Sequence, residues 1–161
     1  MKVIPYKRKR QGKTDYLARK NLLKSNSQRL IVRKTNKYII AQIVESKEAE
    51  DKVLFGVNSK ELLKSGWSNE AKNSLKSIPA AYFTGLLLGK KTEGKIKKLV
   101  IDFGLNRSIQ GNRLYAVIKG INDMKIEINC DESMFPKKEI IDGKNMKHKI
   151  NFTEIKNQIT K

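Results

Sequence analysis

The chain has 161 residues, about the size of one domain, and it carries 35 Lys and Arg against 16 Asp and Glu, a formal net charge of +19. Its apolar content of 39% is enough for one hydrophobic core, which excludes a wholly disordered chain. One cysteine and one histidine exclude an internal disulfide and a Cys/His zinc site, so we expect no metal and no cofactor.

The basic residues are concentrated at the start of the chain. Residues 1–37 hold 13 bases and one acid, so +12 of the +19 lies in this segment. Such a potential attracts polyanions, nucleic acid first and an anionic membrane surface second. The membrane alternative predicts bases on one face of an amphipathic helix, opposite large apolar residues. The bases 7–10 are instead consecutive, between Pro5 and Gly12, and this pattern predicts an extended arm along a phosphate backbone.

No stretch of the sequence is typical of a membrane span or a secretory signal. The longest apolar run, 78–88, falls short of the roughly 20 residues that a transmembrane helix needs. Val3 and Ile4 run directly into Pro5 and the basic cluster, so we expect no signal peptide and an intracellular chain.

The first half of the chain predicts a helix followed by a sheet. In chain order the elements are a basic arm over 1–13, a helix over 14–25, strands over 29–35, 38–46 and 52–57, and a short helix over 60–65. Thr14 is the expected N-cap of the first helix. Short connections make the three β-branched segments an antiparallel meander.

The second half predicts a buried helix, a strand and a second helix. The segment 79–92 is apolar nearly all round, and Gly85 and Gly89 are spaced for close approach to a neighbouring helix. A strand over 97–103, a helix over 113–124 and a brief extended segment over 126–128 follow. Beyond Cys130 the periodicity weakens, which indicates a loose extension with a last helix near 153–160.

This order of elements predicts an α/β fold with a mixed sheet. A three-stranded antiparallel meander is followed by a helix–strand–helix crossover, with helices on the faces of the sheet. The expected organisation is a basic arm over 1–13, a globular domain over 14–128 and a basic C-terminal extension over 129–161.

The tripeptide Asp102-Phe103-Gly104 raises the question of metal chemistry. Protein kinases bind magnesium through this tripeptide, but the chain lacks their other catalytic loops. A sheet of this order also occurs in ribonuclease-H-like nucleases, which need several carboxylates around two metal ions. The first strand has no acid, and Asp123 and Glu127 lie on later elements. A metal-dependent nuclease of this fold therefore stays the alternative to a binding protein.

Several short motifs, in order, resemble one known family. They are Thr14-Asp15-Tyr16, 29–37, Ala41-Gln42-Ile43, Gly66-Trp67, 79–89, 102–105, 111–116 and Lys119-Gly120. The chain is similar over roughly residues 5–150 to the archaeal branch of the L18 family of large-subunit ribosomal proteins, whose eukaryotic members are called L5. The family usually has a longer, often acidic C-terminal part, whereas this chain ends on a basic segment.

The resemblance implies a structural function without catalysis. It implies binding to 5S rRNA, attachment of that RNA to 23S rRNA in the central protuberance, and a neighbouring 5S-binding protein of the L5 type in bacterial naming. It also implies a cytoplasmic location in the large ribosomal subunit, with no membrane and no small-molecule substrate as partners.

The distribution of basic and aromatic side chains indicates candidate RNA-binding residues. Basic side chains are expected to neutralise phosphates, and tyrosines to stack on unpaired bases. Backbone N–H groups at the start of the helix 113–124 are expected to favour a phosphate. The arm and first helix supply Tyr6, Lys7, Arg8, Lys9, Arg10, Lys13, Tyr16 and Arg19. The first hairpin supplies Arg29, Arg33, Lys34, Asn36, Lys37 and Tyr38, and the later loop supplies Asn106, Arg107, Ser108, Asn112 and Arg113.

Overall fold

A computed structural model describes residues 4–47, 50–146 and 150–160. The first three residues of the predicted arm, and residues 147–149 and 161 of the predicted extension, lie outside the described residues. In the described ranges, no helix has the length and apolar character that crossing a membrane requires.

The predicted mixed sheet is confirmed. Its strands are β1 (Arg29–Lys34), β2 (Ile39–Lys47), β3 (Glu50–Asn58), β4 (Lys98–Asp102) and β5 (Glu127–Ile128). The spatial order is β3-β2-β1-β4-β5, with the first three strands antiparallel and β4 parallel to both β1 and β5. The apolar run Leu30-Ile31-Val32 therefore lies at the centre of the sheet.

Two helices cover one face of this sheet. α3 (Ile78–Lys91) and α4 (Arg113–Asn122) pack against each other, α3 over β2 and β3 and α4 over β1 and β5. Alternate strand residues point toward them, and Leu30, Val32 and Ile43 are fully buried there. Burial of these side chains and of most of α3 forms the hydrophobic core.

Glycines set the distance between the two helices, as their spacing predicts. A Cβ atom on Gly85 would collide with the backbone carbonyl of Val117, and one on Gly120 with the carbonyl of Tyr82. A Cβ on Gly89 would lie 2.7 Å from the side chain of Met124. Backbone therefore meets backbone at the crossing, and only glycine fits there.

The predicted last helix near 153–160 is confirmed as α6 (Phe152–Thr160), but the segment around it is not loose, contrary to the prediction. A further short helix, α5 (Lys138–Ile141), precedes it. Ile155 and Ile159, one helical turn apart, are buried against α3, and the ring of Phe152 lies 4.9 Å from that of Phe83. The prediction failed because three apolar side chains in a polar segment are enough to dock a short helix on a core that is already formed.

The arm is not extended over its basic cluster, which is a second correction. Residues Lys7–Arg10 form a single helical turn, α1, because the amides of Lys9 and Arg10 both donate to the carbonyl of Tyr6 at 3.0 and 3.1 Å. All four side chains of α1 are exposed.

The N-cap of the next helix is also corrected. α2 (Tyr16–Leu23) begins after Asp15, whose carboxylate accepts the amides of Leu17 and Ala18 at 2.9 and 3.0 Å. A carboxylate at this position satisfies two free amides and interacts with the helix dipole. Thr14 instead accepts a hydrogen bond from Nε of Arg8 at 2.8 Å.

The predicted helix over 60–65 is a 3₁₀ helix over Ser59–Lys64. Its N-cap is Asn58, whose side chain accepts the amide of Lys60, while Glu61 accepts the amide of Asn58. This reciprocal capping fixes the chain as it leaves β3.

Candidate nucleic-acid interface

The second face of the sheet carries charge rather than core. On β1, the side chains of Arg29, Ile31 and Arg33 alternate with the core residues and so point away from α3 and α4. α2 lies on this side, since Arg19 forms a 3.0 Å ion pair with Asp51 of β3. Strand alternation thus brings cations of distant segments to one face.

A groove of about 790 Å³ separates α2 from the end of β4 and the loop that follows. The groove takes in the end of the arm and carries both basic and apolar side chains. Its lining residues are Arg8, Lys13, Thr14, Asp15, Ala18, Arg19, Asn21, Leu22, Arg33, Ile101, Asp102, Phe103, Gly104, Leu105 and Asn106. Five of the predicted RNA-binding residues meet here: Arg8, Lys13, Arg19, Arg33 and Asn106.

Arg29 does not reach the surface of this groove. Its side chain is 1% exposed and lies between two carboxylates, at 2.6 Å from Asp51 and 2.8 Å from Asp102. It also donates to the hydroxyl of Ser46 at 2.8 Å. The structure therefore gives Arg29 an internal role and corrects its prediction as an RNA contact.

Asp102 organises the floor of the groove. One carboxylate oxygen accepts from Arg29, and the other accepts from Arg33 at 2.9 Å and from the amide of Gly104 at 2.8 Å. The acid that raised the question of metal chemistry is thus committed to two guanidinium groups. Within the described ranges, no three His, Cys, Asp or Glu side chains form a group that could hold a metal ion.

Asp51 joins β3 to both Arg19 and Arg29. Desolvation is the largest single influence on the pKa of Asp51 and raises it. The hydrogen bond from Ser46 and the charges of Arg29 and Arg19 together outweigh desolvation, so the pKa lies below its usual value. The carboxylate therefore stays charged at neutral pH and keeps Arg19 against the sheet.

The aromatic residues of the arm lie against each other. The rings of Tyr6 and Tyr16 are 5.2 Å apart with an interplanar angle of 39°, and Tyr6 is largely exposed. An exposed, paired tyrosine is suited to stacking on an unpaired base. The basic residues of α1 lie between these two tyrosines in the sequence.

The tip of the first hairpin projects from the sheet. Lys34, Asn36 and Lys37 are exposed, while Tyr38 is half-buried and packs on the core. Thr35 closes the turn, because its amide donates to the carbonyl of Tyr38 at 2.8 Å and its hydroxyl accepts the amide of Tyr38 at 2.9 Å. The hairpin is therefore a fixed projection with two lysines at its end.

A second depression, of about 320 Å³, lies beside this hairpin. Lys34 meets Asn112 and Arg113 there, at the start of α4. The side chain of Asn112 accepts the amides of Leu114 and Tyr115 at 2.8 and 3.1 Å. Those amides are already satisfied, so any phosphate in this depression would be held by the lysine and arginine side chains.

The remaining loop residues do not line this depression. Arg107 and Ser108 are exposed, and the hydroxyl of Ser108 is hydrogen-bonded to that of Tyr115. Asn106 donates to the carbonyl of Phe103 at 2.9 Å and lies in the groove instead.

Sequence reasoning missed the role of the two carboxylates that position the groove. Asp51 was not singled out, and Asp102 was considered for metal chemistry and as part of the motif 102–105, not as a partner of arginines. The signal that could have found them is the basic side chain of Arg29 in the middle of a buried strand, since a buried charge requires an opposite partner.

Comparison with known proteins agrees with the sequence resemblance. A family profile described as ribosomal large subunit proteins 60S L5 and 50S L18 matches residues 3–99, more than half of the chain. A large ribosomal subunit protein uL18 from Korarchaeum cryptofilum is 38% identical over 144 residues, which are 89% of this chain and 72% of that protein.

Two further archaeal relatives match to the same extent. The uL18 protein of Methanoregula boonei is 37% identical over 145 residues, covering 89% of this chain and 81% of its own length. That of Methanococcus maripaludis is 38% identical over 146 residues, covering 90% and 74%. With its mixed sheet, basic arm and charged groove, the chain belongs to the L5/L18 family of large ribosomal subunit proteins.

Proposed function

We propose that the chain binds 5S rRNA and helps attach it to 23S rRNA in the central protuberance of the large ribosomal subunit. As a member of its family it is a structural constituent of that subunit, in the cytoplasm, with ribosomal RNA as its partner. The choice of 5S and 23S rRNA is the part that we add.

The observation that carries the proposal is the convergence of cations on the groove. Arg8 and Lys13 from the arm, Arg19 from α2 and Arg33 from β1 line the same concave surface. Segments that are separate in sequence thus bring four cations to one surface, which also carries the carboxylates of Asp15 and Asp102. Each phosphate that such a surface neutralises releases counterions, which favours binding to a polyanion.

The shape of the surface favours folded RNA. The helical turn α1 and the hairpin tip at Lys34 and Lys37 project in addition to the groove. The deep, narrow major groove of A-form RNA does not admit side chains, so contacts to backbone, 2′-hydroxyls and unpaired bases are expected to dominate. A protein with several separate basic projections is suited to hold two RNA segments together.

The proposal includes no catalytic step. Asp102 is bound by Arg29 and Arg33, so its carboxylate is occupied in a way that a nuclease acid is not. A neighbouring 5S-binding protein of the L5 type in bacterial naming completes the proposed assembly.

Filter binding tests the proposal. The full chain is titrated against 5S rRNA and against a 23S rRNA fragment of equal length that lies outside the central protuberance, at physiological ionic strength. We expect tighter binding to 5S rRNA. A second protein carries Lys60→Gln and Lys76→Gln, which remove two exposed bases outside the groove. It should bind both RNAs like the unmodified chain.

Two results would contradict the proposal. One is equal affinity for both RNAs. The other is magnesium-dependent cleavage of an RNA–DNA hybrid that Asp102→Asn abolishes, which would support the nuclease alternative.

A further inference from the structure

Three of the five N–H groups of the Arg33 guanidinium are committed to protein oxygens. Its Nη1 donates to the carbonyls of Val32 and Asp102 at 3.0 and 2.7 Å, which uses both hydrogens of that nitrogen. Its Nη2 donates to the Asp102 carboxylate at 2.9 Å. The edge formed by Nη1 and Nη2 therefore faces protein oxygens and cannot hold a phosphate in the bidentate way.

The negative charge beside Arg33 acts against a phosphate as well. The Asp102 carboxylate is an ion-pair partner of Arg33 and lines the same groove. A phosphate brought to Arg33 would meet this carboxylate at close range, and like charges repel more strongly where solvent is partly excluded.

One flat face of the guanidinium rests on the backbone. A Cβ built on Gly104 would lie 2.9 Å from both Cζ and Nη2 of Arg33 and 3.3 Å from Nη1. A point in the guanidinium plane beyond the two nitrogens would be farther from Cζ than from either of them. The Cβ position therefore lies above the guanidinium plane, so the backbone at Gly104 covers that face of the group. Gly104 has a φ of +59°, a conformation that favours glycine, and any side chain here would also collide with Arg33.

The rest of the side chain is open to the groove. The Arg33 side chain is 38% exposed and lines the groove, and the face that Gly104 does not cover is the one we expect to be open. Leu22, Ile101 and Leu105 line the groove with it, and Leu105 is 57% exposed. Apolar walls beside a flat cation suit a ligand with an apolar face.

We propose that Arg33 is a stacking platform for one unpaired nucleobase of the bound RNA rather than a phosphate contact. Guanidinium planes stack on nucleobases, and a face fixed by Asp102 and Gly104 loses little side-chain freedom on binding. The groove, at about 790 Å³, has the size of sites that enclose small organic ligands. The inference rests on the proposed RNA binding and names the chemistry of one site within it.

The substitution Arg33→Lys separates stacking from charge, because lysine keeps the charge and loses the plane. We expect the affinity for 5S rRNA to fall roughly tenfold, at the lower end of base-stacking effects, with an unchanged slope of log affinity against log salt. Lys60→Arg is the control, since the reverse exchange at an exposed base outside the groove should leave both the affinity and the salt slope unchanged.

The RNA side of the contact is tested with the unmodified chain. Chemical probing of 5S rRNA identifies unpaired nucleotides whose bases the chain protects, and each is replaced in turn by an abasic nucleotide. We expect one replacement to weaken binding by about the same factor without changing the salt slope, and to have no further effect in the Arg33→Lys protein. The measurement on the unmodified chain stands even if the variant fails to fold.

The outcomes distinguish this inference from the proposed function. Specific 5S rRNA binding with no sensitive base, or with an Arg33→Lys variant that binds as tightly as the unmodified chain, overturns the stacking site and leaves the proposed function standing. Absence of specific 5S rRNA binding by the unmodified chain would overturn both.

Discussion

Arg29 and Asp102, 73 residues apart in the chain, form a 2.8 Å ion pair between two buried side chains. The pair lies on the face of the sheet opposite the hydrophobic core and holds β1 against β4. Asp102 also binds Arg33, and Arg29 also binds Asp51, which in turn pairs with Arg19. This one buried contact therefore determines the positions of Arg33 and Arg19 in the groove.

Removal of the Asp102 carboxylate should strongly destabilise the fold. Asp102→Ala leaves Arg29 buried with one partner fewer, and breaking a buried pair in this way costs about 3–5 kcal/mol. Urea unfolding followed by circular dichroism measures the loss. Glu70→Ala, at an exposed carboxylate, is the control and should change stability by less than about 0.5 kcal/mol. Equal stability of the two variants would show that the buried pair does not hold the strands together.

Asp51 should make stability depend on acid pH. Its pKa in the folded chain lies below the ordinary value of 3.8, so its stabilising contribution is complete above about pH 4 to 5 and is lost as pH falls through the folded-state pKa. Asp51→Asn should lower the free energy of unfolding at pH 7 by about 1–2 kcal/mol and flatten its decline below pH 4. Urea midpoints from pH 2 to 7 measure both effects. An acid limb as steep as that of the unmodified chain would refute this role.

Gly85→Ala tests the close contact between α3 and α4. The added methyl group would collide with the Val117 carbonyl, so the helices must separate, and we expect a loss of about 2 kcal/mol or more. Gly56→Ala is the control, because the nearest atom to its Cβ would be 3.6 Å away. Thermal melts of both proteins provide the measurement, and a melting temperature for Gly85→Ala equal to that of the control would contradict the crossing.

Docking of α6 is tested at its buried isoleucines. Ile155→Ala removes a side chain that is 1% exposed, and such truncations cost about 2–5 kcal/mol. The same change at Ile109, which is 58% exposed, should cost far less. If the two variants unfold at the same urea concentration, the C-terminal helix does not belong to the core.

Local pattern was sufficient to predict most of the framework. The β-branched runs around Ile31 and Ile43 indicated strands, and the four-residue spacing of Gly85 and Gly89 indicated a close helix crossing. These features act over a few residues, so they are visible in the sequence alone.

Features that depend on distant partners were missed. The burial of Arg29 depends on Asp51 and Asp102, which are 22 and 73 residues away. The docking of α6 depends on a surface that α3 presents only after folding. Arginine is usually exposed, so its place on β1 suggested an RNA contact, whereas the structure encloses it.

The central claim, that the basic arm holds RNA through its phosphates, is tested most directly by the salt dependence of 5S rRNA binding. The unmodified chain is compared with an arm variant in which five bases are replaced by glutamine: Lys7, Arg8, Lys9, Arg10 and Lys13. A control protein carries glutamine at Lys60, Lys72 and Lys76. We expect the slope of log affinity against log salt to fall by about 0.7–0.9 for each phosphate that the arm variant no longer neutralises, and to stay unchanged in the control. An arm variant with the slope and affinity of the unmodified chain would contradict the account.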